Sequence, residues 1–137
     1  MANLTAHAKG IIEAFNSDDW DEARSLIGDS TYNELGTQRS LDGAEAIIEA
    51  LQGWKKAMPD VKGTVTDSIE GDQRVVLEVT WAGTQTGELV TAQGTIPPSG
   101  KRQSTPSAFI FDFENEKLKE SRNYFDVLTL LRQIGAA

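Results

Sequence analysis

The hydrophobic pattern of this chain changes period once, and that change dictates its fold class. Up to Pro59 apolar residues return every three or four positions, and from Thr64 onward they return every second position. The first spacing puts one apolar stripe along a helix; the second puts one apolar face on a strand. Helices followed by a run of antiparallel strands make an α+β arrangement, in which the helices must cover one face of the sheet. A strongly bent sheet wrapped around a helix leaves an apolar pocket between them, a suitable place for a few polar groups to act on an organic molecule.

The individual elements follow from the same pattern. Leu4, Ala8, Ile11, Ile12 and Phe15 form the stripe of a first helix. Asp19 with Glu22 three residues on reads as a capping box for a second helix, with Trp20, Ala23, Leu26 and Ile27 inward and Gly28 as its stop. Asp42 and Glu45 repeat the device before a third helix carrying Ile47, Ile48, Leu51 and Trp54, which Pro59 closes. Thr64–Glu70 and Gln73–Gly83 flank Gly71-Asp72 and read as a hairpin, Val75, Leu77, Val79 and Trp81 sharing one face. Gln85–Gly100 starts as a strand and must end as a loop or an edge at Pro97-Pro98. Arg102–Phe113 is a strand with Ser107, Phe109, Phe111 and Phe113 on one face, and Asn115-Glu116 turns the chain into a closing strand.

That closing segment, Lys117 to Gly135, concentrates the chemistry. On strict alternation Leu118, Glu120, Arg122, Tyr124 and Asp126 share one strand face, and Val127–Ile134 follows as a short amphipathic helix. If the face looks into a cavity, Asp126 is a candidate acid/base; if it looks into solvent, Asp126 is a helix cap. Glu120 and Arg122 pair with each other or line the pocket as a structural ion pair, and Tyr124 is either a core aromatic or a substrate contact. Trp54 and Trp81 are packing residues or aromatic platforms. Asn33, in Ser30-Thr-Tyr-Asn-Glu, is a polar candidate at the pocket mouth, and His7 reads as a surface residue.

Composition removes several function classes. With no cysteine, thiol nucleophiles, disulfides and cysteine-held zinc or iron–sulfur sites are excluded, and one histidine makes a histidine-built metal site unexpected. A net charge of −8 with scattered Lys and Arg opposes nucleic acid and anionic membrane partners, both of which need a basic face. The opening Met1-Ala-Asn-Leu-Thr lacks a leader's basic and apolar regions, and no apolar run reaches a membrane span. A single cytoplasmic domain over residues 1–137, needing no cofactor or metal, is the expectation.

Motifs in the second half add a resemblance. Trp54-Lys-Lys-Ala-Met-Pro-Asp60, Trp81-Ala-Gly-Thr-Gln-Thr-Gly87, Pro98-Ser-Gly-Lys101, Glu120-Ser-Arg-Asn-Tyr-Phe-Asp126 and Leu131-Arg-Gln-Ile-Gly135 occur in one order. In that order they resemble the SnoaL-like polyketide cyclases, of the superfamily that includes ketosteroid isomerases and nuclear transport factors. The resemblance implies a cystatin-like, nuclear transport factor-like cone: three N-terminal helices on a strongly curved antiparallel sheet, with a short C-terminal helix. It also implies a homodimer through the sheet and a small hydrophobic organic ligand. Asp126 takes the place of the family's acid/base in an intramolecular aldol closure, and Asn33, Tyr124 and Arg122 are the available donors for a developing enolate. Chemically, abstracting a proton beside a carbonyl needs a carboxylate held close, its pKa raised by desolvation.

The chain departs from that pattern in two places. Gln85 replaces the histidine of the Gly-Thr-His-x-Gly stretch, and Ser107 and Phe109 stand where characterised cyclases carry a Gln-x-His pair. Three functions therefore stay open. The first is a cofactor-independent ester-cyclase or isomerase acting on a small hydrophobic carbonyl compound, with Asn33, Trp54, Trp81, Ser107, Phe109, Glu120, Arg122 and Tyr124 around the substrate. The second is a limonene epoxide hydrolase-like enzyme, which resembles the chain in its Arg-x-Tyr-Phe-Asp strand but needs an Arg-x-Asp that Lys101–Phe113 lacks. The third is a pocket that binds or dimerises without chemistry.

Overall fold

The computed structural model describes residues 3–137; Met1 and Ala2, the start of the segment read for a leader, lie outside them. In chain order the elements are α1 (Leu4–Asn16), α2 (Trp20–Ile27), β1 (Thr31–Glu34), β2 (Arg39–Asp42), α3 (Ala44–Ala57), β3 (Lys62–Gly71) and β4 (Arg74–Thr84). They continue through β5 (Leu89–Thr91), β6 (Gly94–Ile96), β7 (Arg102–Glu114), β8 (Lys117–Phe125) and α4 (Val127–Gln133). Six strands form one curved, unclosed sheet in the order β2-β1-β8-β7-β4-β3, and β5 with β6 makes a separate small hairpin. The helices cover the concave face, giving the α+β cone expected from the change of period.

The core sits where the two apolar patterns meet. Val75, Leu77 and Val79 of β4 and Phe109, Phe111 and Phe113 of β7 all point inward and are buried against Ile11, Ile12, Ile47 and Ile48 of α1 and α3. Phe109 and Phe111, two apart on one strand face, stack with ring centres 4.5 Å apart, and Tyr32 stacks on Phe109 at 5.8 Å. Each such ring contributes about 1.5–3 kcal/mol by leaving water. Pro106 lies within β7, yet β8 begins to pair only at Ser107 opposite Phe125, so the proline sits where β7 is an edge on that side.

Several local expectations need correction. The segment after α2 is a β1–β2 hairpin, with β1 parallel to β8, whereas the first half reads as helical throughout. Two four-residue strands are too short to show a period against neighbouring helical stripes. Asp19 does cap α2, accepting from the Glu22 amide, but α3 starts at Gly43 with no side-chain cap; Asp42 instead accepts the Thr31 hydroxyl. His7 is half-buried, its Nε2 2.8 Å from the Leu26 carbonyl and its ring edge-on to Phe113. Among the described residues no helix is long and apolar enough to cross a membrane.

Candidate functional site

The largest correction concerns β8. Its pairing with β7 slips between Asp112/Phe113: Asp112 lies opposite Glu120 and Phe113 opposite Leu118, so Lys119 is an extra residue. A bulge of this kind inverts the alternation beyond it. Leu118 points inward, but past the bulge the inward residues are Ser121, Asn123 and Phe125, while Glu120, Arg122, Tyr124 and Asp126 face the outer side of the sheet. Strict alternation, which ignores the bulge, puts the wrong half of the segment in the pocket.

Asp126 is accordingly solvent-exposed and occupied as the N-cap of α4. Its Oδ1 accepts the amides of Leu128 and Thr129 at 3.0 and 3.4 Å, and its Oδ2 accepts the Thr129 hydroxyl at 2.9 Å. The Thr129 hydroxyl, then the two amides, lower its pKa below the usual carboxylate value, the opposite of what a base working near neutrality needs. Arg122 bridges Asp112 and Glu120 on the outer face, 2.6 Å from Asp112 Oδ2, and Arg74 bonds Asp112 from β4. Partial burial opposes ionisation of Asp112, but the two guanidiniums outweigh it and hold its pKa down. Tyr124 is exposed on the same face, and Asn33 on β1 faces outward opposite Arg122. An arginine between two carboxylates thus exists, but beside an open depression lined mostly by polar residues, among them Asp72, Gln73, Arg74, Glu114 and Lys119.

The interior tells a different story. Between α1, α3 and the concave sheet face lies a cavity of about 60 Å³ lined by Phe15, Tyr32, Leu51, Trp54, Met58, Val61, Trp81, Gln103, Thr105, Phe109, Asn123 and Phe125. A second void of about 30 Å³ continues deeper, sharing Phe15, Tyr32, Leu51, Trp81 and Phe109. Trp54, Trp81 and Phe109, three of the expected contacts, do line the cavity. Ser107 is inward but committed: its hydroxyl accepts the Trp81 indole N–H at 2.9 Å and donates to the Val79 carbonyl at 3.2 Å. Gln85 is fully buried yet outside the cavity lining, its amide holding the 97–99 loop through Pro97 and Ser99.

Sequence reasoning misses the polar lining, namely Tyr32, Gln103, Thr105 and Asn123. The alternation of Ser107, Phe109 and Phe111 extends backward to Thr105 and Gln103, a signal present in the sequence; Asn123 is hidden by the bulge. Thr105 donates to Gln103 Oε1 at 2.6 Å, and Gln103 Nε2 lies 3.4 Å from the Met58 sulfur. Tyr32 donates to Glu34 Oε2 at 2.9 Å, and Asn123 Nδ2 donates to the Tyr32 oxygen at 3.3 Å. Burial first, then Glu34, pushes the Tyr32 phenol well above its usual pKa, so the group stays neutral. Glu34, only 1% exposed, also accepts Trp54 Nε1 at 3.0 Å, the Thr37 hydroxyl at 2.6 Å and Arg39 Nε at 2.9 Å. It is saturated behind the wall. Among the described residues no carboxylate lines the cavity.

Known proteins place this geometry. IdmH of Streptomyces antibioticus, whose proposed activity is polyketide cyclisation, is similar over 98% of this chain and 99% of its own, with TM-score 0.81 and 24% identity. A protein of ketosteroid isomerase-like fold from Catenulispora acidiphila covers 96% and 93% with TM-score 0.80 and 17% identity. AclR of Streptomyces galilaeus, a proposed hydroxylase, covers 98% and 82% with TM-score 0.80 and 21% identity. At these identities the likeness shows the fold alone. No curated protein matches the sequence. The family model for SnoaL-like polyketide cyclases matches residues 5–134, nearly the whole chain, and supports a cyclase-type function. With its cone, its concave cavity and that match, the chain belongs to the SnoaL-like polyketide cyclase family.

Proposed function

We propose that the functional site is the interior cavity, and that it receives a small hydrophobic carbonyl compound held by aromatic walls and neutral hydrogen-bonding groups. One observation carries this reading: the cavity wall joins Trp54, Trp81, Phe109 and Phe125 to Gln103, Thr105 and Asn123, while Asp126 lies on the other side of the sheet. In such a site the cyclase-type contribution is confinement. A flexible carbonyl compound held folded, with its reacting carbons in contact, needs less ordering to close a ring. The neutral hydrogen-bonding groups of the wall then hold the ligand's oxygen in one orientation, because they are themselves already oriented. The volume, about 60 Å³ against roughly 300–1,000 Å³ for drug-sized sites, favours a compact ligand over a polycyclic one.

The test compares two variants against one ligand titration followed by the Trp54 and Trp81 indole signals in NMR. Phe109→Ala alters binding and Asp126→Asn leaves it unchanged; the reverse pattern rejects the cavity. A second reading keeps Asp126 as the acid/base of an aldol closure. It is favoured by an open groove on the outer sheet face, bounded by Leu35, Thr80, Pro106, Tyr124 and Asp126: Phe125 lines this outer groove and the cavity at once and puts Asp126 one residue from the interior. Turnover abolished by Asp126→Asn, with binding intact, would establish that second reading over the first. The homodimer implied by the resemblance is kept as part of the proposal, Tyr124 and Leu35 being exposed apolar side chains on or beside the outer sheet face.

A further inference from the structure

A chain of hydrogen bonds fixes the polarity of the cavity floor. Glu34 is a carboxylate that takes four donors, so it can only accept. The Tyr32 hydroxyl must therefore spend its single proton on Glu34 Oε2, leaving the phenol oxygen as an acceptor. Asn123 must in turn present its NH₂ to that oxygen, 3.3 Å away. The amide is thereby oriented: the opposite orientation would set the Asn123 carbonyl against an oxygen that has no proton to give. What remains is Asn123 Oδ1, a buried oxygen with no partner among the described residues, in a residue that lines the cavity and is only 6% exposed.

An unmet carbonyl oxygen in an apolar cavity selects for a donor. We infer that the cavity recognises a hydroxyl group on a neutral hydrophobic ligand, an alcohol or an enol, by accepting its proton at Asn123 Oδ1. The inference rests on the cavity being the binding site and adds which end of the ligand is read there. A protonated amine is disfavoured, because its charge would be buried against neutral groups while the nearby carboxylate is already saturated. A ketone or ether brings a second acceptor to an acceptor and leaves both unpaired. A ligand hydroxyl that reaches Oδ1 makes the bond that a water there would make, and an ether oxygen does not. For a carbonyl compound, this site favours the enol tautomer over the keto form.

The experiment titrates the full chain with cyclohexanol, cyclohexanone and methoxycyclohexane, three compounds of one ring size that differ in their oxygen. Affinity is read by NMR from the Trp54 and Trp81 indole signals and, independently, from the Asn123 side-chain amide signals. Cyclohexanol is expected to bind about tenfold tighter than the other two, the equivalent of about 1.4 kcal/mol, and to move the Asn123 signals. In Asn123→Leu the preference collapses while the ether binds as well or better. Equal affinity for ketone, ether and alcohol in the wild-type protein overturns the inference and leaves the cavity reading standing; a preference that survives in Asn123→Leu does the same. If none of the three perturbs Trp54 or Trp81, the cavity reading falls and this inference with it. The wild-type NMR comparison decides the matter even if the leucine variant does not fold.

Discussion

Removing the Glu34 carboxylate is the perturbation whose size follows most directly from the structure. Glu34→Ala takes away the acceptor of four donors with different access to water. Arg39 is 40% exposed and Thr37 is partly exposed, so both recover hydration at little cost. Tyr32 is 2% exposed and Trp54 is half-buried; their O–H and N–H lose their partner where water does not readily reach. A buried donor left unmet costs about 1–3 kcal/mol, so one full and one partial loss give about 2–4 kcal/mol. That is a large fraction of the roughly 5–15 kcal/mol that holds a typical domain. Glu34→Gln should cost less, because the amide can keep its oxygen toward Tyr32 and Trp54 and turn its NH₂ toward Arg39 and Thr37, which can move away. Urea unfolding followed by tryptophan emission measures both. A Glu34→Ala midpoint corresponding to less than about 0.5 kcal/mol, within the scatter of ordinary surface changes, would refute the network and the polarity argument built on it.

Other outcomes follow from single residues. Asp126→Ala should loosen α4 and speed amide exchange at Leu128 and Thr129, whereas Asp126→Asn, still a good cap, should keep most of the protection. Asp112 and Asp126 both have depressed pKa values in the folded state, so their contribution is complete above the unfolded value of about 3.9 and is lost as pH falls through the folded values. Arg122→Met should therefore flatten the acid limb of a stability–pH profile. Asn123→Asp places a carboxylate in an apolar wall beside a phenol that has no proton to donate; burial raises its pKa, and stability should fall as pH rises above about 4. Gly87→Ala brings a Cβ to 2.0 Å from the Lys56 carbonyl, which must displace backbone, so a loss of about 1–3 kcal/mol in thermal or urea unfolding is expected.

The change of hydrophobic period was enough to read the class of fold, because burial of a helical stripe on a strand face leaves few arrangements. Val75, Leu77, Val79 and the phenylalanines of β7 were legible for the same reason: regular strands obey a period of two. The segment 117–126 was not, because one inserted residue at Lys119 reverses every later side chain, and nothing in Lys117-Leu-Lys-Glu-Ser-Arg marks the insertion. The consequence was specific. Strict alternation groups Asp126, Tyr124 and Arg122 on the face that could line a pocket, whereas the bulge turns that face outward and Asn123 inward. The Glu34 network escaped for another reason. It joins β1, α3 and the loop before β2 across the fold, and only tertiary structure brings Trp54 to Glu34. Trp54, Trp81 and Phe109 were recoverable because large aromatics on inward faces serve packing and pocket alike.

Chemical-shift mapping with a small hydrophobic alcohol tests the central claim most directly, since it separates the two faces of one sheet. If the interior cavity is the site, the indole signals of Trp54 and Trp81 and the side-chain amides of Gln103 and Asn123 move together with ligand concentration, and the amides of Tyr124, Leu128 and Thr129 stay in place. Shifts confined to Tyr124, Leu128 and Thr129, with the two indoles unmoved, would place the ligand on the outer groove beside Asp126 and contradict the account.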